Sequence, residues 1–261
     1  MQSLSVDHRT YRTGDTKGAG LFTSSRFYAN FCLIFMRAAW AAKRGRYNLP
    51  VWWASSVSVV RALERVGVRF EVEGLHHVHG VTGPVLVVGN HLSVLETFVL
   101  PAFLLPYKIV SYVVKQSLME YPLFRDIMRT SRPIAVSRTN PRRDLKQVME
   151  QGHARLLDDI SIIIFPQTTR APFDPGQFST IAVKLARKEQ VPVVPMALLT
   201  DAWEHGRLLK DFGPIYPSRT VRFAFGEPLT VSTKGEDEQA RIIDFIQDHL
   251  HRWQQERERL E

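Results

Sequence analysis

The sequence predicts an α/β domain with a mixed, mostly parallel central sheet flanked by helices, preceded by a pair of N-terminal helices. Three observations carry that expectation. From residue 68 onward short runs rich in Val, Ile and Phe alternate with helical patterns, the grammar of strands joined by crossover helices. Several of those runs are continuously apolar, as in Val85-Leu86-Val87-Val88 and Ile162-Ile163-Ile164, which is how strands covered on both faces read. Two polar islands directly follow such runs, and in open α/β sheets binding sites gather beyond the carboxyl ends of the strands.

Residues 1–20 are polar and predict a disordered leader. Residues 21–67 predict a two-helix membrane-attachment motif. Within it Phe27 to Ala42 is near-apolar but interrupted by Asn30 and Arg37; as a helix it extends roughly 24 Å at ~1.5 Å per residue, and a membrane span needs about 20 apolar residues. Asn48-Leu49-Pro50 offers a cap and a starting proline for a second helix, and Gly67 a left-handed stop. Trp40, Trp52 and Trp53 fall near the helix ends, where indoles anchor at the headgroup layer.

Residues 1–49 hold eight Lys or Arg against two Asp, which supplies six of the chain's formal charge of +8. Cations flanking large apolar side chains suit an anionic membrane surface better than a nucleic-acid groove. A peripheral or monotopic position on the cytoplasmic face of a membrane is therefore expected, with no nucleic-acid partner; the competing reading packs both helices on the domain's own core. A single cysteine, Cys32, excludes an internal disulfide and points to a reducing compartment.

Residues 68–261 predict the α/β domain. Strands are expected at 68–72, 85–88, 109–114, 134–136, 160–165, 191–199 and 221–225. Helices are expected at 91–103, 117–128, 141–157, 178–188 and 237–259.

The first polar island is Asn90-His91-Leu92-Ser93-Val94-Leu95-Glu96. Imidazole titrates near ~6.5 when unperturbed, which suits it to take a proton from an alcohol. A carboxylate on the other ring nitrogen would fix the tautomer and stabilise the imidazolium. With His91 at a helix start, Glu96 comes little more than a turn later. The second island, Phe165-Pro166-Gln167-Thr168-Thr169-Arg170, ends in a guanidinium able to hold an anion through two parallel hydrogen bonds. Ser93 reads as support for the helix start. His76-His77-x-His79 lies between Gly74 and Gly80 and reads as a turn, not a metal site. Phe98, Phe103, Phe124, Phe173 and Phe178 read as core.

These islands occur in a longer series: Val114-Lys115, Pro133-Ile134-Ala135-Val136-Ser137-Arg138, Val191-Pro192-Val193-Val194-Pro195 and Gly226-Glu227-Pro228. In order and spacing the series resembles the glycerolipid acyltransferase family of the lysophosphatidate (1-acylglycerol-3-phosphate) type, over roughly residues 68 to 230. The resemblance implies an O-acyltransferase that moves a fatty acyl chain from acyl-CoA or acyl carrier protein to a lysophospholipid hydroxyl in phospholipid synthesis. It implies no metal, no cofactor and no covalent enzyme intermediate. His91 becomes the general base and Glu96 its orienting partner, where the family usually has Asp. Lys115, Arg138, Gln167, Thr168, Thr169 and Arg170 become the substrate-binding set. The usual Phe-Pro-Glu-Gly-Thr-Arg is altered at Gln167 and Thr168, which keeps open another lyso-lipid or amino-lipid acceptor, or a catalytically silent lipid-binding protein.

Overall fold

A computed structural model describes residues 9–14, 20, 22–120, 122–167, 169–206 and 211–259. Its sheet contains eight strands: β1 (Thr10–Arg12), β2 (Phe70–Glu73), β3 (Leu86–Gly89), β4 (Val110–Lys115), β5 (Ile134–Val136), β6 (Ser161–Ile164), β7 (Val193–Leu199) and β8 (Val221–Phe225). They lie in the order β1-β2-β8-β7-β3-β6-β4-β5. The block β7-β3-β6-β4-β5 is parallel throughout, β2 and β8 are parallel to each other, and the β7–β8 and β1–β2 pairs are antiparallel. All seven expected strands are present.

The sheet is the middle of three layers. Val85 and Val87 face a core built with α1 (Thr23–Lys43), α2 (Leu49–Glu64) and α4 (Leu95–Leu104). Their neighbours Leu86 and Val88 face a second core built with α6 (Pro141–Leu157), α7 (Ile181–Glu189) and α8 (Glu236–Glu258). The apolar side chains from Val85 to Val88 therefore each find a covered face. The remaining helices are α3 (Leu75–His79) and α5 (Pro122–Met128).

Three expectations need correction. Residues 1–20 do not form a uniformly disordered leader: Thr10–Arg12 pair with β2 as an edge strand, while residues 1–8 and 15–19 lie outside the described residues. The Tyr11 hydroxyl donates to Glu64 at 2.5 Å and the Thr13 hydroxyl to the same carboxylate at 2.8 Å, so β1 is tied to the end of α2.

The boundary at 67/68 is not a structural division either. α2, capped by the Asn48 side chain accepting from the Val51 N–H, buries Trp52, Val57, Val59, Val60, Ala62 and Leu63. It belongs to the same core as α4. α1 behaves differently: Phe27, Phe31, Ala38 and Ala39 are buried, but Leu33, Met36 and Trp40, which share one helical face, are 50%, 57% and 53% exposed. Among the described residues no helix is long and apolar enough to cross a membrane.

The third correction concerns the histidine turn, which is the short helix α3, entered through Gly74 at φ 76°. His76 and His77 rings lie 4.0 Å apart while His79 stacks on Tyr107, so the three imidazoles do not converge.

Candidate active site

The site is built where β3 ends. Gly89 pairs with Met196 of β7, and a Cβ at Gly89 would fall 2.5 Å from the Met196 carbonyl oxygen, so only glycine allows the strands to close there. The next side chain continues the ladder. The Asn90 amide donates to the Leu198 carbonyl and accepts from the Leu198 N–H, both at 2.9 Å. His91 thus leaves a strand end that is tied to β7.

His91 Nδ1 lies 2.8 Å from Glu96 Oε1. The expected helix from residue 91 begins instead at Leu95, because the Glu96 carboxylate takes the backbone N–H groups of Leu92 and Ser93 at 2.8 and 2.9 Å and holds residues 91–94 as a loop. Glu96 is fully buried, with further donors from the Ser93 hydroxyl at 3.0 Å and the Thr200 hydroxyl at 2.7 Å. Burial by itself pushes a carboxyl up. Here the hydrogen bond and charge of His91, with those from Thr200 and the backbone, outweigh it and hold Glu96 below the ordinary carboxylate range. Ser93 also accepts from the Leu95 N–H at 3.1 Å, the supporting role expected of it.

The two polar islands meet at His91. The Phe165 ring stacks on the imidazole with centroids 4.4 Å apart and planes 9° apart, and the Ala171 N–H donates to the His91 carbonyl at 3.1 Å. One ring face and one ring nitrogen are therefore occupied, which leaves Nε2 as the nitrogen available for proton transfer.

Of the substrate-binding set, Arg170 lies one residue from that tether and forms an ion pair with Asp211 at 2.5 Å. Arg138, at φ 62°, has its N–H held by Asp144 at 2.7 Å. Burial, and next the charge of Arg170, hold Arg138 below its ordinary pKa. Lys115 stands exposed at the end of β4, separated from β3 by β6. Thr169 is exposed and donates its N–H to the Gln167 carbonyl at 2.8 Å. Thr168 lies outside the described residues.

Gln167 is not a substrate ligand in this arrangement. It is 2% exposed, and its amide donates to the Pro172 carbonyl at 2.7 Å and the Ala171 carbonyl at 3.5 Å, while its oxygen accepts the Asp174 N–H at 3.4 Å. It staples the loop that carries Arg170. Among the phenylalanines, Phe103 and Phe178 are core, Phe173 packs edge-on against Phe178, and Phe98 lies against Phe31 and Trp203; the Phe124 side chain lies outside the described set.

Sequence reasoning missed the parts played by Asn90, Phe165, Thr200 and Asp211. Thr200 had a legible signal, a polar residue directly behind the apolar run of β7. Asp211 had none.

At the end of β3 the fold thus sets an imidazole backed by a buried carboxylate, with Arg170 one residue from the Ala171 tether to His91. The chain belongs to the acyltransferase family, whose profile matches residues 69–199, half of its length. It is 34% identical over 157 residues to the 1-acyl-sn-glycerol-3-phosphate acyltransferase of Pseudomonas aeruginosa, covering 59% of this chain and 58% of that one. To the enzyme of the same name from Cocos nucifera it is 26% identical over 177 residues, covering 63% and 53%. The chain thus spans just over half the length of these two relatives. The crystal structure of the 1-acyl-sn-glycerophosphate acyltransferase PlsC from Thermotoga maritima shares the fold, with a TM-score of 0.65 at 17% identity over 90% of this chain and 95% of that one.

Proposed function

We propose that the protein transfers a fatty acyl group from an acyl thioester, acyl-CoA or acyl carrier protein, to the free hydroxyl of 1-acylglycerol-3-phosphate, as a step in phospholipid synthesis. The observation that carries this reading is the His91–Glu96 pair at 2.8 Å, held at the end of β3 with Nε2 left over. Both curated relatives above bear the name of that activity.

In the proposed reaction His91 Nε2 takes the acceptor's hydroxyl proton as the oxygen attacks the thioester carbonyl. The C–O bond forms, the C–S bond breaks, and the imidazolium returns the proton to the departing thiolate. Glu96 stabilises the imidazolium in the interval. The thioester is already activated and the pair moves the proton, so the step calls for no metal and no cofactor. Arg170, with Arg138 near it, holds the acceptor phosphate.

We further propose that the exposed stripe Leu33, Met36 and Trp40 rests in an anionic membrane surface on the cytoplasmic side, with Arg37, Lys43 and Arg44 beside it. The Arg44 guanidinium lies 3.8 Å over the Trp40 ring, and such a pair suits the boundary between acyl chains and headgroups. The test is thiol release from acyl-CoA that depends on added lysophosphatidate. His91→Ala is expected to lower it by at least about 10²-fold in a protein that still folds. Acceptor-independent release, or a His91→Ala variant of undiminished activity, would refute the mechanism.

A further inference from the structure

We propose that Arg257, in the last turn of α8, is a positioning residue of the His91–Glu96 pair: it holds Asp201, and Asp201 holds the peptide from which Thr200 reaches Glu96 and Ser93. The inference rests on the reading of His91 as the base. It adds to that site a residue from a helix lying beyond the part of the chain that the family profile matches.

Thr200 leaves β7 with two polar groups turned to the site. Its hydroxyl donates to Glu96 at 2.7 Å, and its carbonyl oxygen lies 3.0 Å from the Ser93 hydroxyl. That carbonyl belongs to the planar peptide unit shared with Asp201, so the two residues turn together about it. Whatever fixes Asp201 therefore fixes the direction of the Thr200 carbonyl and restrains the hydroxyl on the same residue.

Asp201 is held at both its side chain and its backbone. The Arg257 guanidinium donates to its carboxylate through two bonds, at 2.7 and 3.0 Å, with the side chains 34% and 23% exposed. Such a fork sets the carboxylate's orientation as well as its distance. Arg219 donates to the Asp201 carbonyl at 3.0 Å.

Arg257 can serve as a fixed point because α8 is itself pinned close by. Trp253 is 4% exposed, Arg222 donates to Glu256 at 2.6 Å, and Arg252 donates to Glu73 at 2.7 Å. Those ion pairs end on β8 and β2, whereas the Arg257 pair ends one residue from a donor to Glu96. An isolated surface pair would do little, but a bidentate pair inside a network holds its geometry.

The test measures thiol release from acyl-CoA at saturating lysophosphatidate, with the full-length protein. Arg257→Gln should lower kcat about three- to five-fold, the upper range for a partly exposed ion pair, with KM for either substrate within about two-fold. Asp201→Asn should do the same, and Arg257→Lys, which keeps the charge but not the fork, should recover part of the loss. In a Thr200→Val background Arg257→Gln should lower kcat by less than about two-fold, since the donor it positions is gone. An unchanged kcat in Arg257→Gln, a rise in KM in place of the fall in kcat, or full multiplication of the two single effects in the double variant would overturn the proposal.

A second arm needs no turnover: urea unfolding of the wild type, Arg257→Gln, Thr200→Val and the double variant. The double variant should lose less stability than the sum of the two single losses, and additive losses would also overturn the proposal. Asp201→Asn, with its own cycle against Thr200→Val, serves both arms if Arg257→Gln does not fold. A wild type that releases no thiol with lysophosphatidate yet shows this coupling would sink the proposed reaction and leave the link from Arg257 to Thr200 standing.

Discussion

The Thr200 hydroxyl donates to Glu96 across 104 residues of sequence, at 2.7 Å and out of contact with solvent. The bond joins the end of β7 to the first turn of α4, so the carboxylate behind the His91 imidazole is positioned by two elements at once. The extra methylene of Glu96 over the family's usual Asp finds its physical reason here, since the longer side chain reaches His91, Ser93 and Thr200 together.

Thr200→Val keeps the shape and removes that donor. A hydrogen bond to a buried charge is worth roughly 1.5–3 kcal/mol, so kcat should fall about ten-fold or more with KM nearly constant. Thr200→Ser should recover most of the loss. Unchanged kcat in the valine variant would strip Thr200 of its positioning role.

Glu96 also predicts a pH signature. Its folded pKa is depressed, so the stability it contributes is present above the unfolded value, near ~4.3, and is lost as pH falls through the folded value. The difference in unfolding free energy between wild type and Glu96→Gln should be constant from about pH 7 to 5 and shrink below that. A constant difference down to pH 3 would contradict the assignment.

Restoring the family's usual residue at position 167 should do harm. Gln167→Glu would set a carboxylate against the Pro172 and Ala171 carbonyls, which the amide now serves as donor. Loss of a buried donor costs about 1–3 kcal/mol, so both melting temperature and acyl transfer should fall. A variant as stable and active as wild type would show that the loop does not depend on the amide.

Arg170→Lys keeps the charge and loses the planar fork. It should raise KM for lysophosphatidate several-fold, the scale of one charge-assisted hydrogen bond. A phosphate-free monoacylglycerol should be used as before. Equal losses for both acceptors would assign Arg170 to the fold or to the donor.

Vesicle sedimentation can examine α1 without truncation. Replacing Leu33, Met36 and Trp40 by Ser should weaken binding to anionic vesicles while leaving the melting temperature within about 2 °C, because these side chains are exposed. High salt should weaken binding of the wild type only in part, since screening acts on charge and not on apolar insertion. Undiminished binding by the triple variant would remove α1 from the contact.

Much of this molecule is legible in its sequence because its signals are local. β3 and β6 announce themselves as apolar runs, α6 is bracketed by Asn140-Pro141 and ends where expected, and His91, Glu96 and Arg170 lie inside short motifs. What escaped depends on distant partners. β1 is three residues, Thr10-Tyr11-Arg12, with a single buried side chain, too short for a period to show. Its reason to pair is Glu64, more than fifty residues away. Gln167 was misread because a buried amide and a ligand-binding amide look alike until the carbonyls facing them are known. Asp211 is an ordinary acidic residue until the fold brings it to Arg170.

The packing of α2 has a practical consequence for protein production. Fully burying a Val or Leu side chain contributes roughly 1.5–3 kcal/mol, and Val59, Val60 and Leu63 all lie against the body of the domain. Cutting the chain after residue 66 would bare that surface, and the edge of β2 with it, and invite aggregation. A better-behaved variant is to be sought by polar substitution on the outer face of α1, with every residue from Arg9 onward left in place.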